Sequence, residues 1–201
     1  MMRTRLVSFI IAGFLIGALA AAAVLLMTAP RGPNPVQSSG TALIGGPFSL
    51  VDTEGKRVTD ENFRGRYMLV FFGFTHCPDI CPAELQVMAQ ALDQLGDKAD
   101  KIVPVFITLD PERDDPKTMG EYVKSFGPNF VGLTGSPEAI AAAAKAYRVA
   151  YTKVENKSSL ENYSVDHSAL VYLMDPEGRY VAHFPYGTGA QEMAEKLDRF
   201  L

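Results

Sequence analysis

The chain has 201 residues, enough for one domain with a sizeable hydrophobic core. Apolar residues make up 47% of it and charged residues 21%, which is typical of a globular protein and excludes a disordered chain. The net charge is −4, and no basic stripe alternates with aromatic residues, so nucleic acid is not an expected partner.

The N-terminus joins two basic residues to a long uncharged segment. Arg3 and Arg5 precede residues 6–27, which are apolar enough to span a hydrocarbon core of about 30 Å, and the arginines favour export of the remainder. A cleaved signal peptide is the alternative, because Ala18-Leu19-Ala20 resembles a cleavage site. Since the apolar run continues beyond that point, we predict a transmembrane anchor at residues 1–28. The segment is not a Ser- and Arg-rich leader, so a single-pass protein of the bacterial inner membrane, with its C-terminal domain in the periplasm, is expected.

A Pro/Gly/Ser-rich linker at residues 29–46 leads into the folded domain, residues 47–201. Strands are predicted at residues 48–52, 67–72, 102–109, 131–133, 149–154, 169–174 and 179–184. Helices are predicted at residues 82–95, 116–126, 137–147 and 190–200, with Asp115 and Ser136 as the N-caps of the second and third. This alternation indicates an α/β domain whose central mixed sheet is flanked by helices on both faces.

The two cysteines of the sequence, Cys77 and Cys81, follow directly after the apolar run at residues 67–72. If a helical turn joins them, both sulfurs point the same way and can form a disulfide or share a metal ion. Pro82 opens the predicted helix, whose N-terminus favours a thiolate over a thiol. A disulfide closing so small a loop contributes only about 2 kcal/mol as a structural staple. The pair is therefore a candidate redox-active centre or a candidate site for a soft metal.

A third ligand would discriminate between these two roles, and the chain has three histidines. His76 is adjacent to Cys77 and is expected to turn away from it. His183 falls in the last predicted strand, where a solvated histidine is expected. His167 lies at the start of the predicted buried strand at residues 169–174, where it can face the cysteines. From the residues alone, its role as a ligand stays open.

Residues 73–82, together with Asp166-His167-Ser168 and residues 172–178, resemble the Sco/SenC family. The resemblance covers residues 45–201, and an N-terminal anchor fits it. It implies a thioredoxin-like fold and a copper ion, Cu(I) or Cu(II), bound by Cys77, Cys81 and His167. It also implies a metallochaperone that delivers copper to the dinuclear copper (CuA) site of cytochrome c oxidase, or prepares the thiols of that site. The expected partners are the copper-bearing oxidase subunit and a second protein that donates copper.

The donor chemistry agrees with copper. Two thiolates and one imidazole are soft ligands that suit Cu(I), whereas structural zinc would require a fourth protein ligand. Asp79 and Asp166 are candidates for orienting His167 or, alternatively, for capping loops. Because a disulfide would remove both thiolates, we also expect the redox state of the thiols to gate copper loading.

Two enzymatic alternatives use the same cysteines. A membrane-tethered thiol-disulfide oxidoreductase is compatible with a redox-active pair, but its motif is typically Cys-x-x-Cys, and residues 165–167 lack the proline usual in thioredoxin-like reductases. A peroxidase requires a Thr-x-x-Cys context, and Phe74 and Pro78 stand at the two threonine positions. The copper-binding interpretation is therefore preferred.

Overall fold

A computed structural model describes residues 44–155 and 163–201. The strands in these ranges are β1 Ser49–Val51, β2 Arg57–Thr59, β3 Tyr67–Gly73, β4 Ile102–Thr108, β5 Val131–Leu133, β6 Tyr151–Glu155, β7 Tyr163–His167, β8 Leu170–Met174 and β9 Tyr180–Pro185. The α-helices are α1 Ile80–Leu95, α2 Pro116–Val123, α3 Pro137–Ala146 and α4 Ala190–Asp198. Short 3-10 helices span Asp60–Phe63, Gly96–Lys101 and Lys124–Phe126.

The central sheet has the strand order β5-β4-β3-β8-β9. The first three strands are parallel, and β8 and β9 continue the sheet in antiparallel pairings. Every residue of β4 is buried, as is all of β3 after Tyr67. Such uninterrupted apolar strands can be buried only where both faces of the sheet are covered. The predicted central mixed sheet is confirmed.

Aromatic contacts identify what covers each face. Neighbouring residues of a strand point to opposite faces of the sheet, so the contacts of Phe71 and Phe72 show what covers each face. Phe71 stacks on Phe106, which in turn meets Tyr122 of α2. Phe72 meets Tyr147, directly after α3. Helical segments therefore cover both faces, as predicted.

The predicted helix caps are confirmed, whereas several element bounds differ from the prediction. Asp115 accepts a hydrogen bond from the backbone of Thr118, and Ser136 accepts one from Ala139. Helix α1 begins at Ile80 rather than at Pro82. Proline is tolerated three residues into a helix, because the first amide groups have no partner within the helix.

Two strands, β2 and β7, were missing from the prediction. Both contain polar residues and pair in two-stranded sheets outside the central one, β1 with β2 and β6 with β7. A polar strand that is only partly buried lacks the apolar signal from which strands were predicted. The β6–β7 pair, here called the ribbon, carries His167 at its end.

The predicted anchor at residues 1–28 and most of the linker at residues 29–46 lie outside the described residues. Within residues 44–155 and 163–201, no helix has the length and apolar character required to cross a bilayer.

Candidate metal and thiol site

Residues 74–79, here called the cysteine loop, connect the end of β3 to the start of α1. A turn within it is closed by a hydrogen bond of 3.3 Å from the Cys77 amide to the Phe74 carbonyl. The helical turn considered above as one way to join Cys77 and Cys81 is not formed, because only Cys81 lies within the helix. Cys81 is fully buried, whereas Cys77 is partly exposed.

The Cys77 sulfur lies at the N-terminus of α1 and accepts a hydrogen bond of 3.4 Å from the Cys81 amide. Asp79 occupies the N-cap position, but its side chain makes no cap hydrogen bond. The sulfur thus accepts a hydrogen bond from an amide that a capping side chain would otherwise bind. Loop capping by Asp79, one of the two expected roles for that residue, is therefore wrong for this helix.

The two sulfurs have opposite acidities. Both cysteines are free thiols. A hydrogen bond from the Cys81 side chain, supported by the backbone amides at the helix N-terminus, lowers the pKa of Cys77 to about 5. The same hydrogen bond and burial raise the pKa of Cys81. At neutral pH the pair is therefore a Cys77 thiolate that accepts the proton of a Cys81 thiol in a hydrogen bond.

Gly73, the last residue of β3, makes room for the buried sulfur. A Cβ atom at this position would lie 2.7 Å from Cys81 Sγ and 2.9 Å from the Phe106 ring. Any side chain at residue 73 would therefore displace either the sulfur or the core beneath it. The close approach of the β3 backbone is what admits Cys81 into the core below the cysteine loop.

The His167 imidazole, at the end of β7, contacts the buried Cys81 sulfur. Its Nε2 lies 3.6 Å from Cys81 Sγ, and its Nδ1 lies 3.2 Å from the Ser168 carbonyl oxygen. A carbonyl only accepts hydrogen bonds, so the Ser168 contact assigns the ring proton to Nδ1 and leaves Nε2 unprotonated, beside a thiol whose own proton is directed at Cys77. This tautomer is the one that can bind a metal through Nε2.

The sequence placed His167 at the start of the buried strand at residues 169–174, and that placement is wrong. His167 is the last residue of β7, where it pairs with Tyr151, and β8 begins only at Leu170. Its ring lies edge-on to the rings of Phe71 and Phe74, with centroids 6.1 Å apart in both cases. The imidazole is therefore oriented by aromatic packing as well as by Ser168.

The other two histidines lie away from the sulfurs. His76 Nδ1 is 3.0 Å from Thr75 Oγ1 and 3.7 Å from Asp114, which agrees with the expectation that it turns away from Cys77. His183 is exposed and contacts Tyr180, with Nδ1 2.6 Å from the tyrosine hydroxyl.

A pocket of about 320 Å³ opens beside Cys77 and His167, between the cysteine loop and the end of β7. Asp79 and Asp166 line it and are both exposed. The contact that orients His167 comes from the Ser168 carbonyl rather than from either carboxylate. In the described ranges, no group of three or more His, Cys, Asp or Glu side chains is already arranged to hold a metal ion.

Asp114 is a site residue that the sequence reasoning missed. Its fully buried carboxylate accepts hydrogen bonds from the amide and the hydroxyl of Thr75 and from the hydroxyl of Thr108, at 3.0, 2.6 and 2.6 Å. It therefore ties the cysteine loop to the end of β4. Four of the six residues at 110–115, just after that strand, are acidic, and this was the signal that could have identified it.

The donor set fits a soft metal ion. A thiolate, a thiol that can lose its proton and an imidazole nitrogen with a free lone pair converge from the cysteine loop, α1 and β7. Two sulfurs and one nitrogen are ligands that favour copper over harder cations. A metal bound at both sulfurs would displace the Cys81 proton, because only the thiolate is a ligand.

The fold and the site together define a thioredoxin-like α/β domain with two cysteines and one histidine at the end of a central strand. The SCO1/SenC family model matches residues 36–201. The chain therefore belongs to the SCO1/SenC family.

The similarity extends to curated relatives and solved structures. The mitochondrial protein SCO1 homolog 1 of Arabidopsis thaliana is 51% identical over 148 residues, which is 73% of this chain and 44% of that protein. This chain thus spans less than half the length of that relative. The crystal structure of Arabidopsis thaliana ScoI with copper bound has a TM-score of 0.74 and 46% identity, covering 78% of this chain and 96% of that one. Bradyrhizobium japonicum ScoI with copper bound has a TM-score of 0.72 and 47% identity, covering 79% and 99%.

Proposed function

We propose that this chain binds copper through Cys77, Cys81 and His167 and acts in the assembly of cytochrome c oxidase. The observation that carries the proposal is the 3.6 Å approach of His167 Nε2 to Cys81 Sγ, because it brings together donors 86 residues apart along the chain. Relatives at 46% and 47% identity have been solved with copper bound. The copper is cargo, which this chain receives and passes on.

The proposed acceptor is the copper-bearing subunit of the oxidase, and the proposed donor is a second copper-binding protein. Partial exposure of Cys77 beside an open pocket supports a transfer role, because an incoming or departing partner must reach the metal. We place the domain in the periplasm, tethered to the bacterial inner membrane by residues 1–28. A tether raises the effective concentration of the domain at a membrane-bound acceptor.

The three proposed ligands are tested by anaerobic titration of the reduced full chain with Cu(I) against a competing chelator. Cys77→Ala and Cys81→Ala should abolish binding, because each leaves a single thiolate. His167→Ala should weaken binding by at least about tenfold, because losing a ligand costs no less than changing a group behind one, which costs about 10–100-fold. His183→Ala, which removes a histidine far from the sulfurs, should bind as the unmodified chain does. Full affinity in His167→Ala would contradict the three-ligand site.

The acidity of Cys77 supports a second role, in which the pair reduces the thiols of the oxidase site before metal arrives. A thiolate whose pKa is lowered to about 5 is the attacking form in thiol-disulfide exchange. Attack of Cys77 on a partner disulfide would form a mixed disulfide. Cys81 would then resolve it, leaving the partner with two thiols and this chain with one disulfide.

Redox gating of copper binding follows from the same pair. The oxidised chain, with Cys77 and Cys81 joined, should bind no Cu(I) at the site, because neither sulfur is then a thiolate. Reduction should restore a single bound ion. Copper stoichiometry measured on the two forms decides the matter, and equal binding in both would contradict the gate.

A further inference from the structure

Arg113 lies between two aromatic rings that belong to the two halves of the site. The centre of its guanidinium lies 3.9 Å from the centroid of the Tyr163 ring and 5.9 Å from that of Phe74. Phe74 begins the cysteine loop, and Tyr163 begins β7. Only 18% of the Arg113 side chain is exposed, and a cation over an aromatic face gains more as water is excluded.

Asp110 contacts both Arg113 and Tyr163 and holds the two side chains together. Its carboxylate is fully buried, forms an ion pair with Arg113 and accepts a hydrogen bond of 2.9 Å from the Tyr163 hydroxyl. Arg113 also donates a hydrogen bond of 3.3 Å to the Tyr163 carbonyl. Tyr163 is thus held by its ring, its hydroxyl and its backbone. The planar guanidinium lays a flat face on the ring while its edge donates in a fixed fork, a geometry that an ammonium group lacks.

Both aromatic residues beside Arg113 are connected to His167. Tyr163 and His167 are four residues apart in one strand, so their side chains lie on the same face of the ribbon. Phe74 meets the imidazole edge-on, with ring centroids 6.1 Å apart and planes at 84°. Arg113 therefore connects the start of β7 to the residue of the cysteine loop that contacts the His167 ring.

We propose that Arg113 is a positioning residue, which holds the ribbon and the cysteine loop at the separation that brings His167 Nε2 to Cys81. The proposal rests on the proposed copper site for its functional meaning, but its structural content can be measured without metal. Loss of the guanidinium frees β7 to shift. His167 then loses its fixed tautomer, its alignment with the sulfurs, or both.

The metal-free test is nitrogen NMR of the histidine rings in the reduced full chain, kept in detergent micelles. In the unmodified chain, His167 should show a single tautomer with the proton on Nδ1. Arg113→Met should give averaged His167 signals, and Arg113→Lys an intermediate result. Arg179→Met is the matched control, because Arg179 also pairs with an aspartate but lies in the exposed β8–β9 turn. Unchanged His167 signals in Arg113→Met would overturn the proposal.

Tyr163→Phe is a second, milder variant, which keeps the test possible if Arg113→Met fails to fold. It removes only the hydroxyl bonded to Asp110 and keeps the ring beneath Arg113. It should shift the His167 signals in the same direction as Arg113→Met, but by less. Shifts confined to the resonances of residues around Asp110 would count against positioning through β7.

The functional test is Cu(I) affinity by chelator competition. Arg113→Met should weaken binding by about tenfold, as changes to groups behind metal ligands do. Combined with His167→Ala it should add nothing, because a residue that acts through His167 has no further effect once that ring is gone. An equal loss in both backgrounds would overturn action through His167. If the unmodified chain binds no copper, the proposed function fails, while the NMR result still decides the role of Arg113.

Discussion

Cys77 and Cys81 are chemically identical side chains that the local backbone makes opposite in acidity. Cys77 receives backbone amides at the start of α1, which stabilise its thiolate. Cys81 is buried against Gly73 and donates its proton toward Cys77, which stabilises its thiol. One sulfur is therefore in the form that attacks disulfides or binds metal, and the other still holds a proton that the proposed copper ion would displace.

This asymmetry predicts different alkylation profiles. Because the pKa of Cys77 is lowered to about 5, its thiolate fraction rises from acid pH through that value and is complete at neutral pH. Iodoacetamide should therefore modify Cys77 at a rate that is half-maximal near pH 5 and flat at neutral pH, while Cys81 stays unmodified. Peptide mass spectrometry of the reduced chain separates the two sites.

Cys81→Ala is the matched variant for this measurement. It removes the side-chain hydrogen bond that is the largest cause of the lowered pKa of Cys77. The Cys77 profile should then move toward alkaline pH. A midpoint near the value of a free thiol, about 8.5, already present in the unmodified chain would contradict the assigned hydrogen bond.

At the scale of elements, the site is built where the ends of several strands meet. Strands β3 and β4 are parallel, with Gly73 paired to Thr108, so the cysteine loop and the turn after β4 leave the sheet side by side. Asp114 connects the two through Thr75 and Thr108. The ribbon then brings His167 to the same end of the sheet, although β7 itself is not part of that sheet.

Replacing Asp114 tests this connection. Asp114→Asn keeps the size of the side chain, but puts an amide donor where the carboxylate accepts bonds from Thr75 and Thr108. Buried donors left without acceptors should lower the free energy of unfolding by about 1–3 kcal/mol. Urea denaturation of the reduced chain measures the change. Asp93→Asn, on the exposed face of α1, should stay within about 0.5 kcal/mol, and an equally small effect at Asp114 would show that the connection is dispensable.

At the scale of the whole molecule, the function we propose is favoured by keeping the domain at the membrane, close to its acceptor. The arginines and apolar run at the N-terminus predict an uncleaved anchor. After bacterial expression, the protein should resist extraction from membranes with carbonate and should retain residues 1–28 by mass spectrometry. Replacement of Ala18 and Ala20 by leucine, which removes the small-residue site, should change neither result. If the unmodified protein instead lacks its N-terminal residues and only the leucine variant keeps them, the segment is a cleaved signal peptide.

The sequence predicted the apolar elements well and the polar ones poorly. Strands β3 and β4 are continuous apolar runs, and the caps Asp115 and Ser136 precede prolines, so each carries a local signal. Strand β7 carries none, because its polar residues are stabilised by pairing with β6 and by Arg113. The predicted start of α1 was wrong for a related reason. The Cys77 sulfur accepts a hydrogen bond from the Cys81 amide at the start of the helix, and the local sequence does not reveal this bond.

What the sequence determined by itself is the set of reactive groups: two cysteines four residues apart after a buried strand, and three histidines to choose from. The family resemblance pointed to His167, but only the tertiary structure shows its ring beside Cys81. The same holds for the amides that lower the pKa of Cys77, and for the contacts of Asp114 and Arg113 with the cysteine loop. The physical reason is that reactivity depends on burial, hydrogen-bond donors and neighbouring rings, which come from residues distant along the chain. The spacing of residues along the chain limits which groups can approach one another, and the packing of the fold determines which of them do.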